Sequence, residues 1–438
     1  MNARSVFPLC RNASATPKVK LAFWAFAFAA TISWTQSADF QGSHHLTAYD
    51  EPPISYSQAM ADDPVSRLQR RLDQGEAQLK FDPEFGYLPS MLEHLGIPQS
   101  SQVLVFSKTS LHRDLINPRN PRAIYFNDHT YVGWVRQAPL LEISTVDPKK
   151  GGMFYVLPQK ESDKPRLVRN NSCLECHVSK MSMGVPGHLV RSFQVDENGL
   201  PDEKTGGTRI THETPFADRW GGWYVTGTHG NQTHLGNLIG KKAFEKQVQK
   251  PNYLGNVVDL RRFIEPKSFL LPGSDIVALM VLEHQTHMHN FITRLNYEAT
   301  VHLAQYGHVR YLKSIVEAFL GYMLFVDEVA LTAPVRGTSG FAQEFSCHGP
   351  KDKQGRSLRQ LDLETRLFKY PCSFLIYSDA FEQLPGAMKS QIYQRLWEIL
   401  SGKDTGGVAQ KIPAGQKQAL LEILRETKAD LLEYWKSK

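Results

Sequence analysis

A chain of 438 residues with 21% charged and 11% aromatic side chains has the composition of a folded protein, which excludes disordered and fibrous classes. The formal net charge of +6 is not a basic surface. Arg4, Arg11, Lys18 and Lys20 precede the first acidic residue, and beyond residue 38 there are 46 basic against 44 acidic side chains, which excludes a nucleic-acid partner recognised by bulk charge.

Those four basic residues lead into the apolar run "LAFWAFAFAATISW" (21–34), which is followed by the small residues of "TQSA". The order is that of a secretory signal over 1–38. The run is shorter than the roughly 20 apolar residues of a membrane span, and an uncleaved N-terminal anchor is the alternative. No later segment has the length and apolarity of a span, so none is expected after cleavage, and the mature chain is expected in the periplasm or secreted. Residues 39–63 are polar with a Pro-Pro step and read as a linker or arm.

"PVSRLQRRLDQGEAQLK" (64–80) opens with proline and spaces its leucines as an amphipathic helix does. From about 101 the pattern becomes short apolar runs broken by Asn-Asp, Pro and Gly-Gly, which predicts a small antiparallel meander over about 101–159 and an N-terminal α+β module over 64–160. Residues 161–270 are rich in Gly, His and Trp and lack long periodic runs, so this segment is expected to be mostly loop wrapped around a bound group. From 271 to 438 helices are expected, the first opening at Ser274-Asp275. The fold class is therefore α+β, mainly helical.

Within the loop-rich segment, "NSCLECHVSK" (171–180) places Cys173, Cys176 and His177 in a Cys-X-X-Cys-His sequence. In an exported chain this is the attachment sequence of one c-type haem. Thioethers form at Cys173 and Cys176, and His177 falls beneath the iron as axial ligand. A structural zinc site would need a second ligand pair, which Cys347 and Cys372, 25 residues apart, do not supply. A thioredoxin-like dithiol would sit in a βαβ unit, which the surrounding pattern does not resemble.

The sixth iron ligand is open at this level. Met181 and Met183 follow His177 too closely, and the next methionine is Met280, whereas His188, His212, His229 and His234 lie between. Bis-histidine ligation or an open iron with a distal histidine follows, with candidates His229, His234 and His188 in that order; Trp220, Trp223 and Tyr224 beside them would pack on a porphyrin. A second metal site at His284 and His287, three apart on the first long helix, is the sharper reading of "LEHQTHMHN". The plainer one is a buried polar helix face with hydrogen-bonded histidines, or a histidine reaching the haem. Cys347 and Cys372 are either a disulfide or two free thiols.

The segments "SQVLVFSKTSL", "YFNDHTYVGWV", "SCLECH", "GVPGHLVRS", "WGGWYVTGTHG", "LEHQTHMHN" and "LFKYPCSFLIYSDAF" together resemble a group of exported bacterial monohaem proteins described as cytochrome c domain-containing. The likeness covers most of residues 55–400. It implies a periplasmic monohaem protein with a large non-standard body, and carries roles over only to Cys173, Cys176 and His177. The leading expectation is single-electron transfer between redox partner proteins or with a small-molecule redox substrate. The rival is a haem enzyme, peroxidase- or oxygenase-like, with an open distal site, for which the length of the chain speaks. A haem-based sensor lacks a recognisable output domain.

Overall fold

A computed structural model describes residues 47–435, apart from 251 and 253. The export signal expected at 1–38 and residues 39–46 of the expected arm lie outside the described residues. The remainder of that arm, 47–63, is packed rather than extended. Tyr56 is fully buried, its hydroxyl donates to the Gly152 carbonyl (2.7 Å), and Arg169 covers its ring at 4.8 Å. Apolar side chains at Tyr49, Ile54 and Tyr56 gain more from burial than the Pro-Pro step and the flanking acids gain from solvent.

Asp63 caps α1 (Pro64–Asp73) by accepting from the Val65 and Ser66 amides, and α1 stops short of the expected residue 80 because Gly75 takes a left-handed φ of 74°. After α2 (Leu88–Leu95), five strands form the expected meander: β1 (Val103–Val105), β2 (Arg122–Phe126), β3 (Thr130–Trp134), β4 (Leu140–Asp147) and β5 (Gly151–Pro158). The sheet is larger than the meander. β6 (Val168–Arg169) pairs with β5 at one edge. After α3 (Leu174–His177) and the paired β7 (Arg191–Phe193) and β8 (Gly207–Arg209), β9 (Trp223–Tyr224) pairs with β1 at the other. The order is β6-β5-β4-β3-β2-β1-β9, antiparallel throughout, so the sheet crosses the boundary drawn at residue 160. Elements between 161 and 270 are short, the longest being α4 (Lys241–Gln249).

Helices then dominate: α5 (Ile276–Tyr306), α6 (Lys313–Met323), α7 (Phe341–Cys347), α8 (Asp379–Glu382), α9 (Gly386–Leu400), α10 (Gly407–Gln410) and α11 (Ala414–Thr427). The described chain is thus α+β with helix in excess of strand. α5 runs for 31 residues from the expected Asp275 cap to Gly307, which ends it in the left-handed conformation.

Both faces of the sheet are covered, and strand alternation sorts the side chains. On β3, Val132 and Trp134 join the core shared with α1 and α2, whereas Tyr131 joins the core around α5. α5 is therefore enclosed. Its polar residues Glu283, His284, Gln285, His287, His289 and Asn290 are all buried, and all but His287 take hydrogen-bond partners from the loops and sheet packed on it.

Among the described residues no helix is long and apolar enough to cross a membrane. Cys347 is exposed, Cys372 is buried, and both are free thiols, so the disulfide alternative is not the one adopted.

Candidate haem-attachment site

The motif occupies one helical stretch. Asn170 caps a 3₁₀ turn over Asn171–Cys173, its side chain accepting from the Ser172 amide, and α3 follows directly. In this geometry Cys173 is part-buried, Cys176 is exposed, Leu174 points into the core, and the part-buried His177 closes the turn. Ten positions later the chain returns so that the Gly187 carbonyl accepts a hydrogen bond from His177 Nδ1 at 2.8 Å. A carbonyl oxygen can only accept, so Nδ1 carries the proton and Nε2 presents a lone pair, with no hydrogen bond of its own among the described residues. Burial lowers the pKa of His177 to about 4, so the ring is neutral near pH 7.

The position of that carbonyl depends on close backbone packing. A Cβ on Gly187 would run into the Asn290 side chain, and Asn290 itself clamps the next residue, accepting from the His188 amide (2.9 Å) and donating to the His188 carbonyl (2.8 Å). The Gly152 amide donates to the Pro186 carbonyl at 2.9 Å. Phe154, on β5, lies with its ring 4.6 Å from the His177 ring. The loop that orients His177 is thereby held between β5 and α5.

These features discriminate among the three chemistries of a Cys-X-X-Cys-His sequence. Burial and the nearby Glu142 push the Cys173 thiol above its ordinary pKa, the reverse of what a reactive dithiol needs. Nowhere among the described residues do three or more His, Cys, Asp or Glu side chains converge on a metal-sized point, so Cys173, Cys176 and His177 do not form a zinc site as they stand. Haem attachment makes a smaller demand on geometry: two free thiols in one helical stretch and one unbonded imidazole Nε2. Arg191, whose side chain stacks on Phe193 at 4.9 Å, is a cation whose charge is felt at both Cys176 and His177. The residues present fit the group.

The histidines proposed for the far face are dispersed. His188 is buried, 4.5 Å ring to ring from Tyr131, and follows Gly187, so its backbone belongs to the Nδ1 side of His177 and not the Nε2 side. His229 and His234 pack on each other at 4.7 Å and against Phe216, and Trp220 lies 5.3 Å from His234. No described hydrogen bond or ring contact links either to His177.

His284 and His287 lie in a third group. His284 Nδ1 shares a proton with His212 Nδ1 at 3.0 Å, His284 Nε2 bonds the Ser373 hydroxyl at 2.9 Å, and His287 packs edge-on to Tyr322. With His284 bonded at both nitrogens, the plainer reading of a buried polar helix face describes it.

One buried ion pair joins the second and third groups. Arg219 donates to Glu283 (2.6 Å) and to the His212 carbonyl (3.0 Å), and the Trp220 indole donates to the other Glu283 oxygen (3.1 Å). Burial raises the Glu283 pKa and Arg219 opposes the rise. Neither Arg219 nor the Gly187 carbonyl carries a mark in the sequence. Their partners are 64 and 10 positions away with no motif between them.

No family model, curated protein or solved structure matches this chain.

Proposed function

We propose that this chain is an exported, periplasmic c-type cytochrome carrying one haem on Cys173 and Cys176 with His177 as axial ligand, and that it transfers single electrons between redox partners. The resemblance to exported monohaem proteins belongs to the same proposal. The observation that carries it is the His177 Nδ1–H bond to Gly187, which holds the neutral ring with Nε2 free beside two unpaired thiols. When bound, haem supplies one-electron chemistry at a potential tuned by ligand, burial and hydrogen bonding.

The protein's part is to orient. Gly187 fixes the tautomer and rotation of His177 and raises the basicity of Nε2, as the outer partner of a metal-bound histidine does. Phe154 packs on one side of the imidazole and excludes water there, and Arg191 would supply a cation for the carboxylates of a bound haem.

The test is expression of the full chain in a host with cytochrome c maturation machinery, followed by haem staining of a denaturing gel and a pyridine haemochrome ratio. Covalent haem at one per chain is expected, and it should be lost in Cys173→Ala/Cys176→Ala. Absence of covalent haem from the wild-type chain would sink the proposal.

A second reading is a haem enzyme with an open distal site. Spectra with carbon monoxide separate the two. A low-spin iron that ignores the gas indicates a carrier, and a high-spin iron that binds it indicates an enzyme.

A further inference from the structure

At the end of the sheet formed by the β2–β3 turn, where α2, α5 and α7 approach one another, lies a cavity of about 570 Å³, within the size range of small-molecule sites. None of Cys173, Cys176 and His177 lines it. Four phenylalanines form one continuous strip of its wall: Phe126 and Phe341 are 5.6 Å apart, Phe341 and Phe345 5.5 Å, and Phe345 and Phe374 5.1 Å, ring to ring.

Into this wall is set one ion pair. Arg359 lies over the Phe345 ring at 4.7 Å and the Phe374 ring at 4.5 Å, and one of its terminal nitrogens donates to Asp128 on the turn between β2 and β3. The Arg359 side chain is 10% exposed and that of Asp128 34%, so the pair sits at the cavity wall with its guanidinium shielded and its carboxylate partly open to solvent. The turn is held from below. His289 Nε2 donates to the Asp128 carbonyl (2.8 Å), and Gln285, on the cavity floor, donates to the Asn127 carbonyl (2.9 Å).

The chemistry of this arrangement narrows the ligand. Arg359 and Asp128 cancel, so an anion entering the cavity would lose its hydration and meet no unpaired cation, and the carboxylates that a cation would meet, Glu93 and Glu344, sit at exposed positions where solvent screens them. The same two carboxylates further disfavour an anion. What the pair does offer is a donor and an acceptor side by side. A guanidinium has five N–H groups, and one is committed to Asp128; the carboxylate retains Oδ1. A hydroxyl uses both, donating to Asp128 and accepting from Arg359, while a flat ring fills the aromatic walls. We infer that this cavity binds a neutral hydroxylated aromatic molecule, the hydroxyl seated on the Arg359–Asp128 pair.

Three probes with one ring and different charge test this: 2-naphthol, 2-naphthoate and 2-naphthylmethylammonium, titrated calorimetrically into the full chain. Binding of 2-naphthol at one per chain is expected, about tenfold tighter than either ion. Arg359→Lys keeps the ion pair and hence the fold but loses the fork of donors, and should weaken 2-naphthol by about tenfold while leaving the melting temperature in place. In the unmutated chain, methyl-labelled Ile97 and Leu375, both lining the cavity, should show cross-relaxation with the naphthol ring. Equal or tighter binding of an ion, unchanged affinity in Arg359→Lys, or no cross-relaxation to those methyls overturns the inference. Because the haem motif is not part of this cavity, Cys173→Ala/Cys176→Ala should bind 2-naphthol as the parent does, so the two proposals fail separately.

Discussion

Gly187→Ala tests the coupling that orients His177. The new Cβ would collide with the Asn290 amide, which can withdraw only by giving up its two hydrogen bonds to His188. Asn290 is 1% exposed and His188 5%, so the released groups find no water. Two buried hydrogen bonds at about 1 kcal/mol each, with part of the cost of leaving their partners unsatisfied, place the loss at about 2–4 kcal/mol. Asn290→Ala removes the same bonds by truncation and should cost a similar amount. The double variant is decisive, because the methyl added at position 187 then fills the space that Asn290 vacates. It should be about as stable as either single variant, giving a coupling of about 2 kcal/mol. Urea unfolding followed by tryptophan fluorescence measures all four proteins, and ¹⁵N imidazole shifts report whether His177 keeps its proton on Nδ1. Additive costs within about 0.5 kcal/mol, or an unchanged His177 tautomer in Gly187→Ala, would refute the clamp.

Three further outcomes follow from the buried charges. Glu283→Gln strands Arg219 as a buried cation that cannot lose its proton, at a cost of about 3–5 kcal/mol, whereas Arg219→Met leaves a Glu283 that protonates and costs less; equal losses in urea titrations at pH 6 would contradict this. The Arg219→Met protein should also lose stability as pH rises from 6 to 8, by up to about 1.4 kcal/mol per unit, because the unpartnered carboxyl must then ionise in the core. Burial lowers the pKa of His188, His212, His234, His284, His287 and His289 below the ordinary 6.5, to about 3 for His234 and His284 and about 4 for His289. The unfolded chain binds more protons at these sites, so stability present above pH 6.5 should fall as pH drops toward 4. Glu283, with its folded pKa raised, acts in the opposite sense but is one group against six. Unfolding midpoints that stay level between pH 7 and 5 would show that these rings are solvated.

Local chemistry made part of this protein legible without coordinates. A cap at Asp275 opens α5 and short apolar runs between turn signals mark β1 to β5, because each signal lies within a few residues of what it specifies. Three things required the tertiary structure. β9 joins β1 across more than a hundred residues, and Tyr56 docks on Gly152 from what reads as a linker, since strand pairing and burial depend on which surfaces meet and not on local pattern. Asn290 and Gly187 are brought together over 103 positions, so the atom that sets the His177 tautomer is a backbone carbonyl with no side chain to announce it. The histidines that look equivalent in the chain are separated by packing: the His188 ring goes to Tyr131 and Phe154, His229 and His234 to the Phe216 and Trp220 rings, and His284 to His212. Residue type establishes what each imidazole can do, and the long-range packing of α5 decides which of them stands near His177.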